Sequence, residues 1–185
     1  MAQNEGKKFE EDFKKSIPDD AFVLRIKDPA QSFSMACRTC KSNPLRFSAK
    51  NPYDYLIFYN GTLFALELKT TADKSFSYDK QETKGSTNMI KWHQIEGLAD
   101  AHRFDNVRAG FIFNSRNANE TYFVDIAKFL EFMETNHKKS INLTDIQGLC
   151  AIPLRSQKKR TRSCYAVRTM LDEILSCEKN NIEIT

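Results

Sequence analysis

Asp54-Tyr55-Leu56-Ile57-Phe58-Tyr59-Asn60-Gly61-Thr62-Leu63-Phe64-Ala65-Leu66-Glu67-Leu68-Lys69 is the stretch on which the fold turns. Two β-rich runs, 55–59 and 62–70, flank Asn60-Gly61, a pair that accepts the positive φ angles of a two-residue hairpin turn. In that register 56 opposes 65, and Asp54 opposes Glu67 with both side chains on one face. Along the second strand Leu63, Ala65, Glu67 and Lys69 share that face, while Phe64, Leu66 and Leu68 occupy the other. Two charges therefore sit on an otherwise apolar strand, where a half-buried carboxylate is costly unless it is paired, protonated or bound to metal.

Two carboxylates directly opposite one another repel, and a cation between them is the economical remedy. Hard oxygen donors with room for water suit Mg²⁺ or Mn²⁺. Asp54, Glu67 and the backbone carbonyl of Leu68 are the expected ligands, and the chemistry that follows is metal-assisted phosphodiester hydrolysis. Lys69 is placed to orient the attacking water or to offset charge developing on phosphorus. A lone Glu-x-Lys on a strand reads more simply as a surface charge cluster; here the opposing Asp54 and the flanking apolar alternation argue for a site.

Working outward, Phe9, Phe13 and Ile17 recur every four residues and predict a first helix that stops at Pro18. A short strand is expected over 22–27. The spacing of Ile90, Leu98 and Ala101 predicts a helix over 89–104, with Gln94 on its inward stripe. Strands are expected over 109–114 and 121–124, a helix over 126–133, a short strand over 149–154 and an amphipathic helix over 166–175. This order predicts an α/β protein with a mixed central β-sheet flanked by helices, residues 1–185 forming one domain.

Composition excludes several classes. Of the 185 residues 41% are hydrophobic and 28% charged, with only six Gly and five Pro, so neither a disordered nor a low-complexity chain fits. No apolar run approaches the roughly 18 residues of a membrane span, so no membrane association is expected. The N-terminus lacks the hydrophobic stretch of a secretory signal, and the expected location is the cytoplasm. The formal charge of +4 conceals a division. Residues 29–53 hold four bases (Arg38, Lys41, Arg46, Lys50) and no acid; residues 146–171 hold six (Arg155, Lys158, Lys159, Arg160, Arg162, Arg168) and again no acid. Of the 28 bases, 18 then remain against 24 acids, so an acidic body carries two basic segments suited to a polyanion. Cys37 and Cys40 have the spacing of half a zinc site, but no second Cys-x-x-Cys pair follows, which argues against zinc.

Pro52-Tyr53-Asp54 with Glu67-Leu68-Lys69 resembles the PD-(D/E)xK nuclease core, and the ordered set resembles the RecU family of Holliday junction resolvases. That set comprises Gly6-Lys7-Lys8-Phe9-Glu10, Asp54-Tyr55, Glu67-Leu68-Lys69, His93-Gln94-Ile95-Glu96, Lys139-Ser140-Ile141 and Ile152-Pro153. The resemblance implies a restriction-endonuclease-like core and a metal-dependent endonuclease that resolves four-way junctions by paired symmetric nicks. It implies catalytic roles for Asp54, Glu67, Lys69, Gln94 and Glu10. It also implies a homodimer acting on branched DNA in a bacterial or phage-infected cell, with 29–53 as a projecting basic stalk. A recombinase is a candidate partner that the residues themselves do not identify. Tyr53 departs from the family, whose bacterial members tend to carry a small hydroxyl residue there. Arg38, Lys41, Arg46 and Lys50 are the expected junction contacts; Arg155, Lys158, Lys159, Arg160 and Arg162 are the expected contacts to duplex arms. Two other readings remain open: a related nuclease acting on duplex or flap DNA, and a non-enzymatic DNA-binding module.

Overall fold

The computed structural model of the chain describes residues 5–26 and 51–182. Arg38, Lys41, Arg46, Lys50, Cys37 and Cys40, and with them nearly all of the expected stalk, lie outside the described residues. The first elements are α1 (Glu5–Lys14), β1 (Phe22–Arg25), β2 (Tyr55–Tyr59), β3 (Thr62–Thr71) and β4 (Ser75–Ser77). Next come α2 (Trp92–His102), β5 (Val107–Ser115), β6 (Glu120–Asp125), α3 (Ile126–Thr135), β7 (Ser140–Asn142) and α4 (Leu143–Gly148). The described chain closes with β8 (Ile152–Pro153), β9 (Ser156–Lys158), β10 (Ser163–Tyr165) and α5 (Val167–Ile182).

Six strands form the central sheet in the order β1-β2-β3-β5-β6-β8. Only the β3–β5 pair is parallel, joined across α2; the other neighbours are antiparallel, so the sheet is mixed as expected. Asn60 and Gly61 take φ of +48° and +80°, the left-handed values the hairpin turn demands. Leu56 pairs with Ala65 and Tyr55 with Leu66, so the register read from the turn holds.

Alternation along the strands divides the interior in two. Ala65, Ala109, Phe111, Phe113 and Val124 face Ile95 and Leu98 of α2, Phe129 and Phe132 of α3, and the small β4–β7 ladder through Phe76 and Ile141. On the opposite face Tyr55, Ile57, Phe64, Leu66 and Leu68 meet Phe9 and Phe13 of α1 and Val167, Met170, Leu171 and Ile174 of α5. Helices thus cover both faces of the sheet. Gly110 lets β5 and β6 approach, because a Cβ there would strike the Val124 carbonyl and, at 2.6 Å, the Phe123 ring. Among the described residues no helix is long and apolar enough to cross a membrane.

The helix expected from Met89 begins at Trp92. Ile90 instead makes a parallel bridge with Tyr78, its N–H donating to Ser77 O at 2.9 Å. The strand expected over 149–154 shrinks to Ile152–Pro153, since Leu149 caps α4 and Cys150 takes φ of +53°.

Candidate active site

β3 outruns its hairpin partner: β2 pairs with it only as far as Tyr55–Leu66, leaving 67–71 with no β2 neighbour on that edge. Asp54 stands at this opening. Its N–H donates to Leu66 O at 3.0 Å, and its Oδ2 accepts from Leu68 N–H at 2.8 Å. The two bonds tie the Asp54 carboxylate to the backbone beside Glu67. In an extended strand the N–H and C=O of one residue project to the same edge, so the Leu68 carbonyl is directed toward Asp54 rather than toward β5.

Glu67 is 2% exposed. Lys69 Nζ lies 2.8 Å from Glu67 Oε1, and the Gln94 side-chain amide donates to the same oxygen. Gln94 is held from its other end, because its Oε1 accepts the Lys91 N–H at 3.0 Å. Position N3 of α2 thus serves twice, satisfying an orphan N–H at the helix start and fixing the amide that meets Glu67. This is the inward orientation that helical phase predicted for Gln94.

Burial is the main force on the Glu67 carboxyl, raising its pKa from an ordinary 4.5 to about 8. The Lys69 ammonium opposes the shift, and the nearby Asp54 and Glu10 carboxylates add to it. Even with the Lys69 ammonium beside it, this group favours its protonated form in the absence of a divalent ion, and such an ion would reverse that balance. The donor set fits a hard cation: carboxylate oxygens of Asp54 and Glu67 and the edge-facing carbonyl of Leu68. Among the described residues no group of three or more His, Cys, Asp or Glu side chains is disposed to hold a metal unaided, so backbone and water must complete the shell.

Glu10 stands near Glu67 electrically but is committed elsewhere. Its carboxylate pairs with Arg25, and its backbone carbonyl accepts the Tyr55 hydroxyl at 3.1 Å. Arg25, placed on β1 opposite Tyr55, was not singled out by the sequence, and no local pattern links it to a residue fifteen positions away. The second basic segment is structured in a way its composition did not announce. β9 and β10 form a polar hairpin whose turn carries Lys159, Arg160 and Arg162, with Lys159 N–H donating to Arg162 O at 2.7 Å. Arg155, Lys158, Lys159 and Arg160 are exposed. Arg168 differs from these: its guanidinium bonds Asp20 at 2.6 and 2.9 Å and the Tyr59 hydroxyl at 3.1 Å, so it joins α5 to the rest of the body.

The structure brings together the carboxylate pair, the lysine and the helical glutamine on which the resemblance to the PD-(D/E)xK nucleases rests. The model of the family described as Recombination protein U, RecU, matches residues 4–160. The chain belongs to the RecU family of Holliday junction resolvases. It is 31% identical over 192 residues to the SPbeta prophage-derived uncharacterized protein YotM of Bacillus subtilis (strain 168), covering 97% of this chain and 91% of that protein. Among solved structures it is similar to Hjc of Archaeoglobus fulgidus, a Holliday junction resolvase from an archaeal hyperthermophile. There the identity is 14% and the TM-score 0.47, covering 80% of this chain and 95% of the other.

Proposed function

We propose that the chain acts as a homodimeric endonuclease, dependent on Mg²⁺ or Mn²⁺, that cuts two opposing strands of a four-way DNA junction. The observation that carries this reading is the convergence of Asp54, Glu67, Lys69 and Gln94 where β3 extends past β2, in a chain of the RecU family. Asp54, Glu67 and the Leu68 carbonyl would hold the metal, which would supply Lewis-acid polarisation of the scissile phosphate and a water of lowered pKa. Gln94 and Lys69 both engage Glu67 Oε1 and so fix the carboxylate that would meet the cation. Lys69, with its side chain 13% exposed, orients the attacking water and offsets charge as the new P–O bond forms and the ester P–O bond breaks. Glu10, held by Arg25, contributes to the field around Glu67 rather than as a primary ligand.

One site per chain makes a second copy necessary for paired cuts. Surface chemistry supports such a pairing. Phe22, Phe58, Leu63 and Val107 align across β1, β2, β3 and β5 on one face of the sheet, and Phe22 and Phe58 are 65% and 50% exposed. An apolar row of this kind is characteristic of a protein interface.

The test is cleavage of a labelled mobile junction, a flap and a linear duplex with Mg²⁺. Paired symmetric cuts confined to the junction are expected; cutting of the duplex or flap alone would replace junction resolution with a general nuclease. Asp54→Asn or Glu67→Gln should abolish cleavage while junction binding in Ca²⁺ persists. Intact cleavage by either variant would sink the site assignment.

A further inference from the structure

A second feature lies beyond the end of β3, on the α1 side of the sheet. α1, the turn between β5 and β6, and the β9–β10 hairpin enclose a cleft of about 180 Å³. Lys8, Arg116 and Lys158 reach it from these three elements, and Thr70, Asn114 and Ser163 are among its polar lining. The volume falls below the roughly 300 Å³ at which small-molecule pockets begin, and the lining lacks their predominantly apolar character. Three cations over a polar floor suit instead a polyanion that passes through.

Construction of the cleft is specific. β10 is docked on α1 and the turn after it by its backbone: Ser163 N–H donates to Asp12 Oδ2 at 2.9 Å, and Tyr165 N–H to Ser16 Oγ at 3.0 Å. The Phe9 and Tyr165 rings meet edge to face at 5.5 Å and anchor the same contact. Strand alternation then turns Lys158 and its partner Ser163 toward the cleft. On the floor, Thr70 Oγ1 donates to Asn114 Oδ1 at 2.7 Å and Asn114 Nδ2 donates to Thr121 Oγ1 at 2.9 Å, a chain that fixes both side chains. Two acids also face the cleft. Asp12 is bound to Ser163, and Glu5 sits in the first turn of α1, where the helix dipole favours it. Among the described residues Lys8, Arg116 and Lys158 have no ion-pair partner.

Position links this cleft to the carboxylates. Thr70 directly follows Lys69 on β3, and Lys8 precedes Glu10 by two residues on α1. Among the described residues no strand pairs with 67–71 on the β2 side of β3, and a ligand strand passing there would run from the carboxylate face to the α1 face. We infer that this cleft is a phosphate-backbone clamp, in which Lys8, Arg116 and Lys158 hold nucleic-acid phosphates flanking the one that is cut. The inference rests on the nuclease reading and deepens it. It gives the β9–β10 hairpin the role of a fixed wall that sets where the substrate strand lies, and it implies affinity without base selectivity.

The experiment measures junction binding by the intact protein in Ca²⁺ over a salt series, for the wild type and for Lys8→Gln/Arg116→Gln/Lys158→Gln. Each phosphate contact contributes about 0.9 to the slope of log K against log salt, so the triple variant should lose between two and three from it. Between 50 and 200 mM salt its affinity should then fall about 40-fold less than that of the wild type. Lys128→Gln on α3, away from the cleft, should leave the slope unchanged. The single Lys158→Glu variant, at an exposed hairpin position, guards against loss of folding and should weaken binding at low salt. A wild type that cuts junctions while both cleft variants keep the wild-type slope and affinity would overturn the clamp. A changed slope in a protein that cuts no DNA would leave the clamp standing and overturn the nuclease reading instead.

Discussion

Replacing Glu67 by Gln should relieve a cost that the metal-free protein bears at alkaline pH. The Glu67 carboxyl is 2% exposed, and its pKa rises from 4.5 to about 8 on folding, chiefly through burial. A carboxyl whose folded value is raised binds its proton more tightly in the native state. Its contribution to stability is therefore fully present below the unfolded value of 4.5 and is lost as pH rises through about 8. Over the whole range the loss approaches about 5 kcal/mol, and between pH 5 and pH 8.5 it is about 4 kcal/mol. That is a large share of the roughly 5–15 kcal/mol available to a domain of this size. Glu67→Gln keeps an oxygen for Lys69 and Gln94 but cannot ionise, so its stability should lack this slope. Urea unfolding in EDTA at pH 5 and pH 8.5 measures the effect. The quantity to compare is the change with pH in each protein, because other titrating groups are common to both and the unpaired Lys69 shifts the variant's absolute stability. Slopes agreeing to within about 1 kcal/mol would refute the argument that burial, rather than the Lys69 ion pair, governs this carboxylate. The wild type should also release close to one proton on binding Mg²⁺ near pH 6 and almost none above pH 9, which calorimetry in buffers of different ionisation enthalpy reads directly.

Gly97→Ala should cost about 1–3 kcal/mol and lower the cleavage rate, since a Cβ at that point of α2 would overlap Pro52, two residues before Asp54. Thermal unfolding and single-turnover cleavage check it, and a variant with native stability and full activity would show that this contact does not place Asp54. Phe13→Ala, which empties a fully buried ring site between α1 and Tyr55, should cost about 3–5 kcal/mol in urea unfolding and leave the metal requirement of cleavage unchanged. Arg168→Gln should leave the salt dependence of junction binding as it is, because Asp20 and Tyr59 already occupy that guanidinium; a lower slope would return Arg168 to the DNA surface. Neutralising Arg38, Lys41, Arg46 and Lys50 together should weaken junction binding more than duplex binding in parallel titrations, and equal losses would favour a general nuclease.

What could be read in advance was whatever a short segment specifies by its own geometry. Asn60-Gly61 selects a two-residue turn, the turn sets the register, and the register carries Asp54 to Glu67 across the hairpin. Gln94 was legible for a similar reason, since helical phase relative to Leu98 turns it inward whether or not the helix begins at Met89 or at Trp92. The β4–β7 ladder was not legible, because three residues per strand give no period to detect and the pairing joins positions some 65 residues apart. The β9–β10 hairpin escaped for a different cause. Its edge is satisfied by Asp12 of α1 and Ser16 of the turn that follows rather than by another strand, so Ser156–Lys158 and Ser163–Tyr165 need no apolar alternation to stay in place.

That difference alters the meaning of the second basic segment. A run of Arg and Lys with no acid implies affinity for a polyanion whatever its conformation, and composition alone cannot separate a loose tether from a surface of fixed shape. A two-stranded hairpin bonded to α1 through β10 makes the distinction physical: Lys158 is held in register with Ser163 at the cleft, Lys159 to Arg162 form the hairpin turn, and Arg168 is drawn away by Asp20. Five of the six bases in the segment thereby divide among a cleft wall, a hairpin turn and a tie between α5 and the body of the protein. Because the helix that anchors the hairpin also carries Glu10, the placement of the basic wall and the field around Glu67 share one support. A change in α1 that loosens Asp12 from Ser163 should then disturb DNA positioning before it disturbs the carboxylates, since Asp54 and Gln94 are secured to β3 and α2 by bonds of their own.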